Sequence, residues 1–279
     1  MSPRGRRSVV RDCGWLEGQL NPSPASISVR LWHRWTPCFP TAYTVHVNDH
    51  LETAGSSSDA VSFVGLGLYA PADAARLLGV PVDRMHRWSG DRKDSIPVIE
   101  RRLKREGLLT FAELMELHFV RRFRDRGVSL KAVRKAAKRA ASLFGTKYPL
   151  SSARFDTDGS SIFATLQRDA EEPGLVEDLA RCQLVFPQII RPFFKNLEYE
   201  KGRDEVARFW PEGRDGRIVL DPARRFGRPL DAETGVAVET LVTAFHKAYG
   251  GDAEGVAFEF DVPVAAVEAA VAFDRSLAS

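Results

Sequence analysis

One glycine, with small and apolar residues at fixed offsets around it, constrains this chain more than any other feature. Counted from Gly79, Ala74 and Ala75 fall at −5 and −4, Leu78 at −1, and Val80, Met85 and Trp88 at +1, +6 and +9. Two short helices crossing at a tight turn need small residues where the backbones approach. They also need a glycine for the turn and apolar residues on the inner faces. Pro71 and Pro81 each sit where a helix would open, the position at which proline's missing N–H does no harm. The spacing predicts a helix-turn-helix ending at Trp88. Its second helix turns Val82, Asp83, Arg84, His86 and Arg87 outward.

Charge along the chain is uneven. Residues 1–62 carry 6 basic and 5 acidic side chains, residues 63–149 carry 19 and 9, and residues 150–279 carry 15 and 23. The middle stretch is therefore net +10 and the last net −8. Such asymmetry points to a polyanion-binding half joined to a half with another task, or else to two solvated surfaces of opposite sign. An outward helix within the basic half suits a DNA major groove, where Arg87 is the candidate for bidentate contact with guanine.

Around this motif the chain divides into four stretches. Residues 1–62 read as a poorly ordered arm, broken by Pro22, Pro24, Pro37 and Pro40 and ending in a Gly-Ser-Ser-Ser linker. The arm holds Trp15, Trp32 and Trp35, so it is either a partner-binding segment or a stretch without a native fold. Residues 63–146 continue from the helix pair into a wing and short helix at Ile96–Leu109. A helix follows at Phe111–Arg126 with an apolar stripe, then another capped by Ser129. On that last helix Lys131, Lys135, Lys138 and Arg139 form a basic face, either solvated or lying along phosphates.

Residues 147–215 read as mixed β/α. A hairpin is expected where Ala153–Asp156 and Ile162–Leu166 flank Asp158-Gly159. A short helix follows at Pro187–Phe194, with strands at Leu197–Tyr199, Val206–Trp210 and Ile218–Leu220. Residues 216–279 close with helices near Val238–Tyr249, Ala253–Phe260 and Pro263–Phe273. The expected fold class is mainly α with small β elements. It combines an N-terminal winged helix-turn-helix with a C-terminal three-helix, helix-turn-helix-like module.

The segment GLYAPADAARLLGVPVDRMHRW resembles the DNA-binding helix-turn-helix of MerR-like regulators. The later GVSLKAVRKA is similar to the segment that opens that family's fourth helix. The likeness spans roughly residues 66–145 and implies that Arg92 and Lys93 lie in a wing that contacts phosphate. Val133 and Ala136 replace the usual isoleucine and leucine. In place of the family's long dimerisation helix, Lys147-Tyr148-Pro149 ends the helical run, and no cysteine cluster follows.

The acidic half carries a second resemblance. IVLDPARRFGRPLDAETGVAVETLV, with the helices after it, looks like the small C-terminal domain of VapB-type antitoxins, and CQLVFPQIIRPF resembles the linker of such two-part antitoxins. The likeness implies pairing with a PIN-like ribonuclease toxin. Its candidate contact residues are Arg224, Arg225, Phe226 and Arg228, a loop of guanidiniums around one aromatic that suits a carboxylate-lined pocket. Alternatively, these arginines pair with Asp221, Asp231 or Glu233 inside the module.

The stencil of the first helix pair recurs around Asp261. Val256, Ala257 and Phe260 precede it, and Val262, Val267 and Ala270 follow at +1, +6 and +9. Here the outward positions are Val264, Ala265, Glu268 and Ala269, with no basic residue, so this copy suits a protein surface rather than phosphate.

No phosphate-binding glycine loop and no HExxH motif occurs, so no catalytic residue, cofactor or metal is expected and the chain is read as a non-enzyme. The three cysteines (Cys13, Cys38, Cys182) are scattered, which fits a reducing cytoplasmic compartment. No apolar run approaches the roughly 18 residues of a membrane span. The expected partners are operator duplex DNA, a PIN-like toxin and a second copy of the chain as a homodimer. The alternative is a MerR-like transcriptional regulator whose C-terminal half dimerises or binds a small ligand.

Overall fold

The computed structural model describes residues 63–278 except Asp94. The expected arm, residues 1–62, lies outside the described residues. The first two helices, α1 (Pro71–Leu77) and α2 (Val82–Trp88), meet at Gly79, whose φ of +56° is the left-handed turn the stencil demands. Ala74, Ala75, Leu78, Val80, Met85 and Trp88 are all buried, so each inner position of the stencil packs inward.

Helix α3 spans Phe111–Arg124 and is extensively buried. Thr110 and Glu113 close a capping box at its start, with Thr110 N donating to Glu113 Oε2 at 2.8 Å. Its buried residues lie on every face, from Phe111 to Phe123. Ser129 caps α4 (Leu130–Phe144), which ends at Gly145.

The expected hairpin at residues 153–166 does not form. Those residues belong to a single helix, α5 (Ala153–Arg168), and Asp158-Gly159 lies within it. Gly159 serves packing rather than a turn, because a Cβ there would meet the Phe186 ring at 2.5 Å. Two buried carboxylates organise the joints. Glu113 also accepts from Arg102 N at 2.5 Å. Glu116 accepts from Leu150 N, Ser151 N and Ser151 Oγ at 3.2, 2.7 and 2.8 Å, which fixes the start of α5 against α3.

Helix α6 (Pro173–Val185) runs through a wide π turn at Phe186–Ile190 into α7 (Arg191–Phe194). Pro187 and Pro192 lack the N–H for an ordinary ladder, and the wide turn carries the chain past them, with Arg191 N donating to Phe186 O. The segment that resembled a linker is thus helical, with Cys182, Phe186, Ile190 and Phe193 buried.

Four short antiparallel strands follow in sequence order: β1 (Leu197–Tyr199), β2 (Val206–Phe209), β3 (Ile218–Leu220) and β4 (Pro229–Asp231). Leu197 pairs with Phe209, Phe209 with Leu220 and Val219 with Leu230. The C-terminal helices are α8 (Val238–Thr243), a π turn at Ala244–Ala248, α9 (Ala253–Phe260) and α10 (Val264–Ser276).

One apolar cluster runs from Tyr69 to Leu220 and includes the fully buried rings of Phe119, Phe123, Phe155, Phe163 and Phe186. A second spans Ile218 to Phe273. Leu77 packs against both, and Arg76 of α1 pairs with Asp274 of α10 at 2.8 Å. The N-terminal helix pair and the C-terminal module are therefore joined directly.

Candidate nucleic-acid interface

On α2, Met85 and Trp88 anchor the inner face. Val82, Arg84 and Arg87 are exposed, and Asp83 and His86 half-buried. Arg87 Nη2 lies 3.1 Å from Asp83 Oδ2, one helical turn away. Arg92, in the segment after α2, pairs with Asp83 Oδ1. Asp83, Arg87 and Arg92 thus form one cluster, and Lys93 stands exposed beside it.

Among its described residues the segment after α2 forms no helix and no hairpin of its own: the short helix expected within Ile96–Leu109 is replaced by turns, and the β pairing there is a single antiparallel bridge between Leu109 and Tyr69. Side chains hold it in place instead. Asp91 Oδ2 accepts from Ser89 Oγ at 2.9 Å and faces His86 Nδ1 at 3.0 Å, and its other oxygen pairs with the buried Arg101. Partial burial pushes the Asp91 carboxyl up, but the His86 and Ser89 hydrogen bonds and the Arg101 charge outweigh it and hold it below the ordinary value. Arg101 also donates to Leu108 O, at 2.8 Å through Nη2.

The lysines expected on α4 lie at its surface. Lys131 pairs with Glu172 at the start of α6, and Lys135 also lowers that carboxyl's pKa. Both lysines are exposed. The unpredicted residue is Arg134, which donates to the carbonyls of Pro97 and Ile96 at 3.1 and 2.5 Å. It ties α4 to the segment after α2. No sequence signal distinguished it from the neighbouring lysines.

In the acidic half, the loop from Arg224 to Arg228 carries two successive non-glycine residues in the left-handed region, Arg225 at φ +49° and Phe226 at φ +54°. Such backbone costs about 1–2 kcal/mol per residue. Leu68 N donates to Phe226 O at 2.9 Å and Tyr69 Oη to Gly227 O at 2.6 Å, which hold the loop against the N-terminal helix pair. Phe226 remains 55% exposed. Arg224 donates to Ala232 O, and Arg228 pairs with Glu239 at 2.5 Å.

The carboxylates considered as partners for these arginines are taken by others. Asp221 pairs with Arg208 at 2.9 Å, while Asp231 and Glu233 pair with Arg217, each at 2.8 Å. The Arg217 clamp and the Thr234 hydrogen bonds keep Asp231 below its usual pKa against the desolvation that raises it.

The second stencil packs like the first. Val256, Ala257, Val262, Val267 and Ala270 are buried and Asp261 adopts φ +50°, with Phe260 half-buried. Its outward residues Val264, Ala265 and Glu268 are exposed, Ala269 is half-buried, and Phe258 on α9 is 90% exposed. Elsewhere an open cavity of about 990 Å³ is lined by Arg102, Tyr148, Ser152, Arg203, Arg208 and Asp221 among others. Among the described residues, no His, Cys, Asp and Glu side chains gather as a metal site, and no helix is long and apolar enough to cross a membrane.

Comparison with known proteins agrees with the geometry of the basic half. Residues 69–140 match the MerR HTH family regulatory protein family. The chain is also 25% identical, over 197 residues, to a Mycobacterium tuberculosis protein named "Putative antitoxin VapB45", covering 63% of this chain and 81% of that one. The crystal structure of Rv2018 from Mycobacterium tuberculosis shares the fold, with a TM-score of 0.60 and 20% identity over 75% of this chain and 99% of the other. The basic half thus carries a MerR-type helix-turn-helix, the module of a DNA-binding regulator.

Proposed function

We propose that this chain is the antitoxin of a type II toxin–antitoxin pair. Its N-terminal helix pair binds operator DNA and its C-terminal half neutralises a PIN-like ribonuclease. The observation that carries the reading is the divergence of two helix pairs built on one stencil. The first turns Arg84, His86 and Arg87 outward, whereas the second turns out Val264, Ala265 and Glu268. A basic face suits phosphate and an apolar, acid-flanked face suits protein. The name of the relative aligned over 197 residues, "Putative antitoxin VapB45", supports the antitoxin reading.

Within this reading the strained loop is the toxin contact. Arg224 and Arg228 are engaged inside the module, so the loop offers Arg225 and the ring of Phe226 outward. A guanidinium suits the clustered carboxylates with which PIN-like nucleases hold metal, and backbone strain at an exposed aromatic is common where partners dock. Catalysis is assigned to the toxin and none to this chain.

Co-expression of the full chain with the product of the adjacent gene tests the proposal. The two should co-purify, and Arg225→Ala with Phe226→Ala should impair neutralisation of the nuclease while sparing operator binding. A double variant that inhibits as well as the parent removes the loop from the interface. The 990 Å³ cavity favours a second reading, a regulator controlled by a small ligand, and ligand-dependent operator affinity would distinguish it.

A further inference from the structure

Asp83 is the one carboxylate among the outward residues of α2. On a helix that faces a polyanion, a negative side chain opposes binding to any phosphate backbone. It adds little to stability in return. Its two ion pairs, to Arg87 and Arg92, join side chains that are each about half exposed, and exposed pairs are weak. No buried donor needs it. The residue's position therefore calls for another explanation than folding.

We propose that Asp83 is a specificity-determining residue that reads a cytosine amino group in the major groove and suppresses binding to unrelated sequence. The inference rests on the DNA-binding reading of α2. In the free protein the carboxylate holds both guanidiniums, so neither is loose to take any phosphate it meets. When DNA docks, Arg92 can move to phosphate and Arg87 to guanine O6 and N7, which leaves Asp83 facing the groove without its cations. Only a sequence that supplies a donor there satisfies it, and in the major groove cytosine N4–H2 is such a donor. Asp83 and Arg87 lie one turn apart on the same face and already touch. The cytosine therefore belongs to a base pair adjacent to the one that Arg87 reads.

The test uses the full chain. Wild type, Asp83→Ala and Arg92→Ala are each allowed to select duplexes from a randomised pool, and their affinities for a random-sequence duplex are measured over a range of salt. Wild type should select a guanine together with a cytosine at an adjacent base pair. Asp83→Ala should keep the guanine but lose about tenfold of the preference for the cytosine, in line with the worth of a base-edge contact. It should also bind the random duplex more tightly, with a log–log salt dependence steeper by about one as a freed arginine reaches phosphate. Arg92→Ala removes the tether between α2 and the following segment but keeps the carboxylate, so it should weaken all sequences alike and leave base preference unchanged.

Three outcomes overturn the proposal. Asp83→Ala could leave both base preference and random-duplex affinity unchanged. Arg92→Ala could reproduce its altered base preference, which would make the carboxylate a mere tether. Wild type could bind no duplex at all, in which case the DNA-binding reading fails before any variant is compared. Asp83 is exposed enough that unchanged melting of the variants is expected.

Discussion

Replacing Glu116 by glutamine and His118 by phenylalanine, one at a time, should unmask two proton linkages that oppose each other in the native protein. Both side chains lie on α3, and both are almost fully buried. Glu116 sits at the start of α5, where burial pushes its carboxyl up from 4.5 to about 7 in spite of three hydrogen bonds from Leu150 and Ser151. His118 stacks on Phe193 at 4.4 Å and meets Phe209 edge-on at 5.1 Å, and its Nδ1 has no hydrogen-bond partner. Burial first, then the charges of Arg122 and Arg121, hold its pKa well below 6.5.

The signs differ. Between pH 4.5 and 7 the folded chain keeps the Glu116 proton that the unfolded chain releases, so stability falls as pH rises through that window. The shift, at about 1.4 kcal/mol per unit, amounts to about 3 kcal/mol. Below 6.5 the unfolded chain protonates His118 and the folded chain does not, so this contribution is present above 6.5 and lost as pH falls. From pH 4.5 to 6.5 the two slopes oppose each other. Glu116→Gln should therefore gain about 2 kcal/mol of stability over that range relative to wild type, or roughly 4–8 °C in Tm for a domain of this size. His118→Phe keeps the ring stack and removes an unsatisfied nitrogen, so its stability should fall relative to wild type as pH rises over the same range. Denaturant unfolding at pH 4.5, 5.5, 6.5 and 7.5, at constant ionic strength, reads both directly. Differences from wild type remove the contribution of Asp91 and Asp231, whose lowered carboxyls titrate below 3.8. Variant profiles parallel to the wild-type profile would refute the argument.

Three other outcomes follow from the same structure. Arg87→Ala should cost about 1–3 kcal/mol on the operator and relax one base preference, whereas Lys135→Ala should weaken all sequences alike if α4 lies along phosphates; gel-shift titrations at several salt concentrations check both. Gly159→Ala should destabilise by about 1–3 kcal/mol, despite alanine's helix propensity, because the new methyl meets the buried Phe186 ring, and a raised Tm would contradict this. Phe226→Gly should raise stability by about 1 kcal/mol in urea titration by relieving left-handed strain, while weakening the toxin contact.

Much of the helical architecture was legible because its signals are local. Pro71, Pro81 and Ser129 mark helix starts, and Gly79 marks a turn, without reference to anything distant. The misreadings share one cause, a residue whose job is set by a partner far along the chain. Asp158-Gly159 has the composition of a hairpin turn, yet the glycine is there to admit Phe186, 27 residues later. Strand β4 is three residues long and contains Pro229, so it exists only because β3 offers it an edge. Glu116 looks like any helix-surface carboxylate until the backbone N–H groups of Leu150 and Ser151 are brought to it. Arg134, likewise, is one cation among several until the carbonyls of Ile96 and Pro97 select it.

The two copies of the stencil show where sequence ceases to determine task. Ala74, Ala75, Met85 and Trp88 in one and Val256, Ala257, Val267 and Ala270 in the other are all buried, and both turns adopt positive φ, at Gly79 and at Asp261. Burial can be read at these positions because each side chain answers to neighbours within one helix pair. The outward residues pack against no core of their own helix pair, so their chemistry is left freer to suit a partner. In the first copy even that surface is partly internal, since Asp83 engages Arg87 and Arg92 before any DNA arrives. In the second, Phe258 is left 90% exposed with Glu254 and Glu259 exposed on the same helix. The inner residues account for a shared frame, and the difference between a face for phosphate and a face for protein rests on a handful of exposed side chains.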